Sequence, residues 1–205
     1  MNSALESGFA WQALSLLAFS SAITPGPNNL MLLASSARFG LRRTLPHLGG
    51  VLAGTLSMVT LNVVGLGALM LAWAPLLNLL KFAGAGYLCY LAWRLTLAQQ
   101  TPGQQNTSAA GAQPLTWRQA AVFQVINPKV WMMGLAVATT LGQVGLSDAA
   151  FGIALFCAIA FPCVLLWAMF GVVMLRLLTT PRARRVFNVT VCAMLLATAA
   201  MIMLA

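Results

Sequence analysis

Two short stretches hold the side chains that could do chemistry in this chain. Thr24-Pro25-Gly26-Pro27-Asn28-Asn29 sits in the middle of the apolar run 9–36, and Asn127-Pro128-Lys129 sits inside the run 120–141. Proline removes a backbone donor and clashes with the preceding turn, so carbonyls near Ser20 to Ile23 lose their helical partners where no lipid can replace them. Asn is a preferred N-cap, which places Asn28 and Asn29 at the start of a second half-helix whose free N–H groups suit a carboxylate. Thr24 offers a hydroxyl beside the break. Lys129 lies well inside its run, near the bilayer midplane at a rise of about 1.5 Å per residue. An ammonium there costs about 2.5–3.5 kcal/mol and calls for a partner.

The spans contain no Asp or Glu to pair with it. The remaining partners are freed carbonyls, Asn127, the amides of the first run, water, or an anion that comes and goes, such as a substrate carboxylate. Two readings stay open: Lys129 holds a substrate, or it has a structural role in which it caps the carbonyls of a broken helix or loses its proton through burial. Gln124, one turn before Pro128, can bond across the bundle or to substrate. The substrate-binding set read from the sequence is therefore Thr24, Pro25, Gly26, Pro27, Asn28, Asn29, Gln124, Asn127, Pro128 and Lys129, with no metal and no cofactor.

These residues need a membrane scaffold. Hydrophobic residues make up 60% of the chain and charged residues 6%, a composition that would expose large apolar patches in water. A net charge of +9 could suggest nucleic acid, yet the basic residues form no aromatic-interleaved cluster and sit between apolar runs. Nucleic acid is excluded, and the partners are a bilayer and a small molecule; homo-oligomerisation is left open. No basic leader precedes the first run, since the residues before it contain Glu6 and no Lys or Arg, so that first segment is expected to remain in the protein. Cys89, Cys157, Cys163 and Cys192 fall inside apolar runs without a Cys-x-x-Cys pair and read as small core or lipid-facing residues.

The apolar runs predict an all-α integral membrane protein with six transmembrane helices, over Phe9–Ser36, Leu48–Ala72, Leu76–Leu97, Ala120–Leu141, Ala149–Leu175 and Val186–Leu204. The second and third, joined at Trp73-Ala74-Pro75, are expected to form an antiparallel hairpin. Arg38, Arg42, Arg43, Arg94, Arg118, Arg176, Arg182, Arg184 and Arg185 all lie by odd-numbered connections, while Glu6 and Asp148 lie on the opposite side. The positive-inside rule makes the odd connections cytoplasmic and both termini external. Three helices precede a polar loop and three follow it, so the halves have opposite orientations, a 3+3 inverted repeat with interrupted helices 1 and 4. The organisation expected is a first repeat over 1–98, a flexible cytoplasmic loop over 99–117, and a second repeat over 118–205.

Thr24-Pro25-Gly26-Pro27-Asn28, Gly84-Ala85-Gly86-Tyr87-Leu88 leading to Leu91-Ala92-Trp93-Arg94, and Asn127-Pro128-Lys129, in that order and spacing, resemble the lysine/homoserine exporter family (LysE/RhtB) over nearly the whole chain. The resemblance implies six spans in a bacterial inner membrane and export of amino acids or close derivatives with proton exchange.

The residues themselves restrict the cargo. A lysine or arginine exporter would offer a buried carboxylate to the cationic side chain, and none exists in the spans, so neutral substrates of the cysteine, O-acetylserine, homoserine or threonine kind are expected, or larger apolar ones. Proton carriers reduce to Lys129 and to His47, which reads as an interfacial residue. Gly49, Gly50, Gly54, Gly84 and Gly86 read as helix-packing positions. Lys81, Tyr87, Tyr90 and the tryptophans read as anchors or packing. An enzyme is not expected: the sole histidine has no carboxylate to orient it, no Gly-x-Ser-x-Gly appears, and no His or acid cluster could bind a metal. An accessory membrane subunit would leave the two central breaks and the buried lysine without a reason.

Overall fold

The structure, a computed structural model, describes residues 2–97, 113–142 and 145–204. The described residues form α1 (Asn2–Ile23), α2 (Pro27–Phe39), α3 (Leu41–Val63), α4 (Leu66–Ala72), α5 (Ala74–Leu97), α6 (Trp117–Ile126), α7 (Pro128–Leu141), α8 (Leu146–Leu177) and α9 (Pro181–Leu204). The segment expected as a loop over 99–117 lies outside the described residues up to 112. At its end Thr116 closes a capping box on α6: Gln119 N–H donates to Thr116 Oγ1 at 3.3 Å, and Thr116 N–H donates to Gln119 Oε1 at 3.0 Å.

Each expected interruption is present. α1 stops at Ile23 and α2 starts at Pro27, with Thr24-Pro25-Gly26 between them. Helices α6 and α7 meet at Asn127 with a bend of 69°. Both second halves carry proline at their first position, where its missing N–H costs nothing and its fixed φ suits the helix. Four helices, α3, α5, α8 and α9, are long and apolar enough to cross a membrane, and the bent pair α6–α7 brings the count to five if its two halves form one span. Leu16, Met132, Phe170 and Met201 stay exposed on the outside of the bundle, as lipid-facing side chains do.

The second span differs from its expected bounds of Leu48–Ala72. Helix α3 begins earlier, at Leu41, and ends at Val63, because Gly65 takes φ +105°, a left-handed conformation that ends regular helix and favours glycine. The rest of that run is the separate short helix α4. The expected hairpin of second and third spans is also replaced: α5 packs on α9, whereas α3 packs on α6 and α7. The unbroken α8 carries α1 and α2.

Three apolar clusters fill the interior, the smallest joining Met58 of α3 to Val130 and Trp131 of α7, and two are larger. One joins Leu14 and Ala18 of α1, Val59 of α3, Val137 of α7 and Phe156 of α8; the other joins Leu30 of α2, Leu88 of α5, Phe123 of α6 and Leu195 of α9. Glycines set the closest approaches. A Cβ on Gly50 would strike the Trp117 carbonyl and Ala120, one on Gly54 would strike Gln124 and Ala121, and one on Gly84 would strike the Ile126 carbonyl at the α6–α7 break. Gly49 makes only ordinary contact with Trp117, and Gly86 has no neighbour within 4 Å. Of the cysteines, Cys163 and Cys192 are buried and Cys89 is exposed, matching the reading of core and lipid-facing residues.

Gly50→Ala should therefore force α3 from α6, at the cost of about 1–3 kcal/mol typical of overpacking. Thermal unfolding in detergent should show a lower midpoint for Gly50→Ala and an unchanged or higher one for Gly86→Ala, since alanine favours a helix where space is open.

Candidate functional site

At the end of α1 every freed carbonyl finds a donor. Ser20 accepts from Thr24 N–H at 3.3 Å and Ser21 from Thr24 Oγ1 at 3.1 Å. Ala22 accepts from Asn29 Nδ2 at 2.8 Å, and Ile23 from the Trp167 indole of α8 at 3.1 Å. The Thr24 carbonyl accepts twice, from Asn29 Nδ2 at 2.8 Å and from Lys129 Nζ at 3.1 Å. Lys129 Nζ also donates to Thr24 Oγ1 at 3.0 Å. The capping alternative for Lys129 is thus realised. Two hydrogen bonds from a charged donor, at about 1.5–3 kcal/mol each, are enough to offset the roughly 2.5–3.5 kcal/mol of placing the ammonium at this depth.

The expected N-cap role of Asn28 and Asn29 is corrected by the structure. The N-cap of α2 is Gly26, with extended φ of −166° and no side-chain cap; the two asparagines lie inside the first turn. Asn29 reaches backward to α1. Asn28 reaches sideways to Gln124, its Nδ2 donating to Gln124 Oε1 at 2.7 Å while Gln124 Nε2 donates to Asn28 Oδ1 at 3.1 Å. Gln124 is fully buried and gives its second N–H to the Ala120 carbonyl at 2.6 Å. The backbone N–H groups of Asn28 and Asn29 keep no acceptor among the described residues and point from the positive end of α2.

In the second break Asn127 does act as an N-cap, its Oδ1 accepting from Lys129 N–H at 3.2 Å. The Val125 carbonyl accepts from the Trp131 indole at 2.7 Å. Each break is therefore tied by one indole donor, a role beyond the anchoring or packing that the sequence suggests for the tryptophans. The available signal was a tryptophan far from a span end, whose N–H must find an acceptor. His47, expected at the end of its span, is packed inside the bundle there, 1% exposed.

Gly26, Asn28, Asn29, Asn127 and Lys129 line one cavity of about 40 Å³, closed by Val51 and Thr55 of α3 and Val164 of α8. Thr24 and Gln124 act on it through Lys129 and Asn28, while Pro25, Pro27 and Pro128 shape the backbone around it. A Cβ on Gly26 would lie 2.9 Å from Lys129 Nζ, so glycine serves the approach of the lysine. The volume is that of about one water, and an amino acid needs the surrounding helices to part. No group of three or more His, Cys, Asp or Glu is placed to hold a metal among the described residues.

Fold and site together define a multi-pass helical membrane protein whose polar centre is built where two interrupted helices meet. The family model described as LysE type translocator matches residues 19–205, and the chain belongs to that family. Cysteine/O-acetylserine efflux proteins of Escherichia coli strain K12 and of Shigella flexneri are each 31% identical to it over 121 residues, 58% of this chain and 58% of theirs. The protein of that name from Escherichia coli O1:K1 / APEC is 29% identical over 120 residues, with the same coverage. The matched part thus spans little more than half the length of these curated relatives. No solved structure matches.

The amide pair gives a direct check. Gln124→Leu should destabilise the protein by about 1–3 kcal/mol, because it strands the Asn28 amide. In a double-mutant cycle by thermal or denaturant unfolding, Asn28→Leu with Gln124→Leu should cost less than the sum of the single changes. Trp167→Phe should lower stability by about 1 kcal/mol through the unpaired Ile23 carbonyl.

Proposed function

We propose that this protein is a secondary transporter that exports small neutral amino acids or their derivatives, of the cysteine/O-acetylserine or homoserine/threonine type, from the cytoplasm across the bacterial inner membrane. The observation that carries this reading is the position of the Lys129 ammonium, beside the uncapped start of α2. Two of its three N–H groups are taken by Thr24, which leaves one to join the Asn28 and Asn29 N–H groups around a substrate carboxylate. No acid lines that cavity, so a cationic side chain would find no counter-charge, and a neutral substrate fits.

The packing supports a 3+3 inverted repeat of six spans, with α1–α2 as the sixth crossing and the halves at 1–98 and 118–205. The broken pair α1–α2 lies on α8 of the other half, the broken pair α6–α7 lies on α3, and α5 meets α9 across the middle. That reciprocity is what an internal two-fold produces, and among the described helices α4 is the one without a counterpart. In this reading the halves rock about the polar centre between inward and outward states, with the arginine-rich end cytoplasmic and both termini periplasmic. Proton exchange drives the cycle, with Lys129 as the group in contact with substrate. The kinship with cysteine/O-acetylserine efflux proteins favours cysteine and O-acetylserine within the neutral class; leucine-like or basic amino acids are the alternative cargo.

Counterflow of radiolabelled cysteine, O-acetylserine, threonine, homoserine, leucine and lysine into liposomes tests the proposal. Exchange of small neutral amino acids by the native protein, lost in Lys129→Ala at equal membrane insertion, is expected. Full exchange by the variant would remove Lys129 from the substrate site, and lysine as best substrate would overturn the charge argument.

A further inference from the structure

A second cavity, of about 730 Å³, opens at the arginine-rich end between α2, α3, α5, α6 and α9. Arg38, Arg94 and Arg118 stand on it, each exposed, and its lining contains neither Asp nor Glu. The chain's two acids, Glu6 and Asp148, lie elsewhere in the sequence. The partners of two of the guanidinium groups are neutral: Arg94 donates to Tyr90 Oη at 2.9 Å, and Arg38 lies 5.1 Å from the Phe39 ring centre. A cleft walled by one sign of charge focuses the field and concentrates the opposite ion.

The wall carries a second, independent sign of a ligand. His47 lines the cavity from α3, is 1% exposed, and neither ring nitrogen has a hydrogen-bond partner among the described residues. Buried polar atoms left unpaired cost about 1–3 kcal/mol, so such a ring in the wall of a cavity marks a place where a polar group is to be received. Beside it Tyr87 and Phe123 form an aromatic wall, their ring centres 4.9 Å apart. Such faces attract an ammonium.

The cavity is aligned with the midplane site. Met31, Ser35 and Arg38 line it, and they continue, turn by turn, the face of α2 that begins at Asn28. At about 1.5 Å per residue Arg38 is roughly 15 Å along α2 from Asn28. Phe123 precedes Gln124 on α6, so Met31, Phe123 and the Asn28–Gln124 pair stand between the two cavities.

We propose that this vestibule is a second substrate subsite, which takes the carboxylate of a zwitterionic amino acid on Arg38, Arg94 and Arg118, its ammonium on Tyr87 and Phe123, and a hydrogen bond from its inner end to His47. The subsite rests on the export reading and gives it a cytoplasmic loading step. An anionic phospholipid would satisfy the arginine rim but leave His47 unpaired, whereas a ligand small enough to pass inward reaches both.

Equilibrium binding of radiolabelled cysteine to detergent-solubilised protein tests it on the Lys129→Ala background, where the midplane site is disabled. A saturable cysteine site should remain, weaken about tenfold or more in Arg94→Gln with Arg118→Gln, recover in part with Arg94→Lys, and weaken in His47→Phe. Cysteinamide, which lacks the carboxylate, should compete poorly. Binding untouched by the arginine changes, equal competition by cysteinamide, or arginine-dependent binding of phosphatidylglycerol without that of cysteine would overturn the subsite. The last result would identify a lipid site. Gel filtration of the exposed arginine variants confirms that the fold is kept. Liposomes with native protein separate the two readings: absent exchange with arginine-dependent binding intact would remove export and leave the subsite, and exchange with arginine-independent binding would do the reverse.

Discussion

The structure depends on one constraint: a helix that stops inside a bilayer leaves carbonyls that lipid cannot satisfy. The end of α1 presents such carbonyls from Ser20 to Thr24, and their donors come from the break itself, from α2, from α7 and from α8. Breaking one helix thereby ties four segments to a single point. Because each missing bond would cost about as much as a large fraction of ordinary domain stability, the bundle is organised around this point as firmly as around its apolar clusters. Phe156 and Leu195 fill space, but the carbonyls dictate which polar atoms must arrive and from where.

The two breaks solve the same problem differently, and that asymmetry gives the centre its chemistry. Asn127 saturates the start of α7 with its own side chain. Gly26 has no side chain to do so at the start of α2, and the asparagines that follow spend their amides on α1 and Gln124. One helix start is closed, and the other retains donors next to an ammonium. A positive potential therefore collects on the α2 side of the cavity without any acid to neutralise it.

Much of this was legible in the sequence because proline and glycine act locally. Pro25, Pro27 and Pro128 announce both breaks wherever the chain folds, and the arginines by the odd connections announce which ends of the helices share a side. Hydrogen-bond partners were less legible. The pairing of Asn28 with Gln124, 96 residues apart, depends on the rotation of α2 about its axis, which composition does not encode, so the asparagines were misassigned as caps. The boundary between α3 and α4 was hidden because Gly65 sits in an unbroken apolar run, where only its φ reveals the stop. His47 resembles an end-of-span residue by position, and its burial follows from α2 and α6 packing against α3, a tertiary fact.

The length of α8 has a consequence of its own. Its 32 residues extend about 48 Å at 1.5 Å each, well beyond a hydrocarbon core of roughly 30 Å. A rod that long has to lean, project into the headgroups, or stretch the lipid around it. Since α1, α2 and α3 all rest on α8, its inclination is shared by the walls of the polar centre, which makes membrane thickness a mechanical variable for this protein: a thinner bilayer favours the steeper lean and a thicker one the more upright bundle.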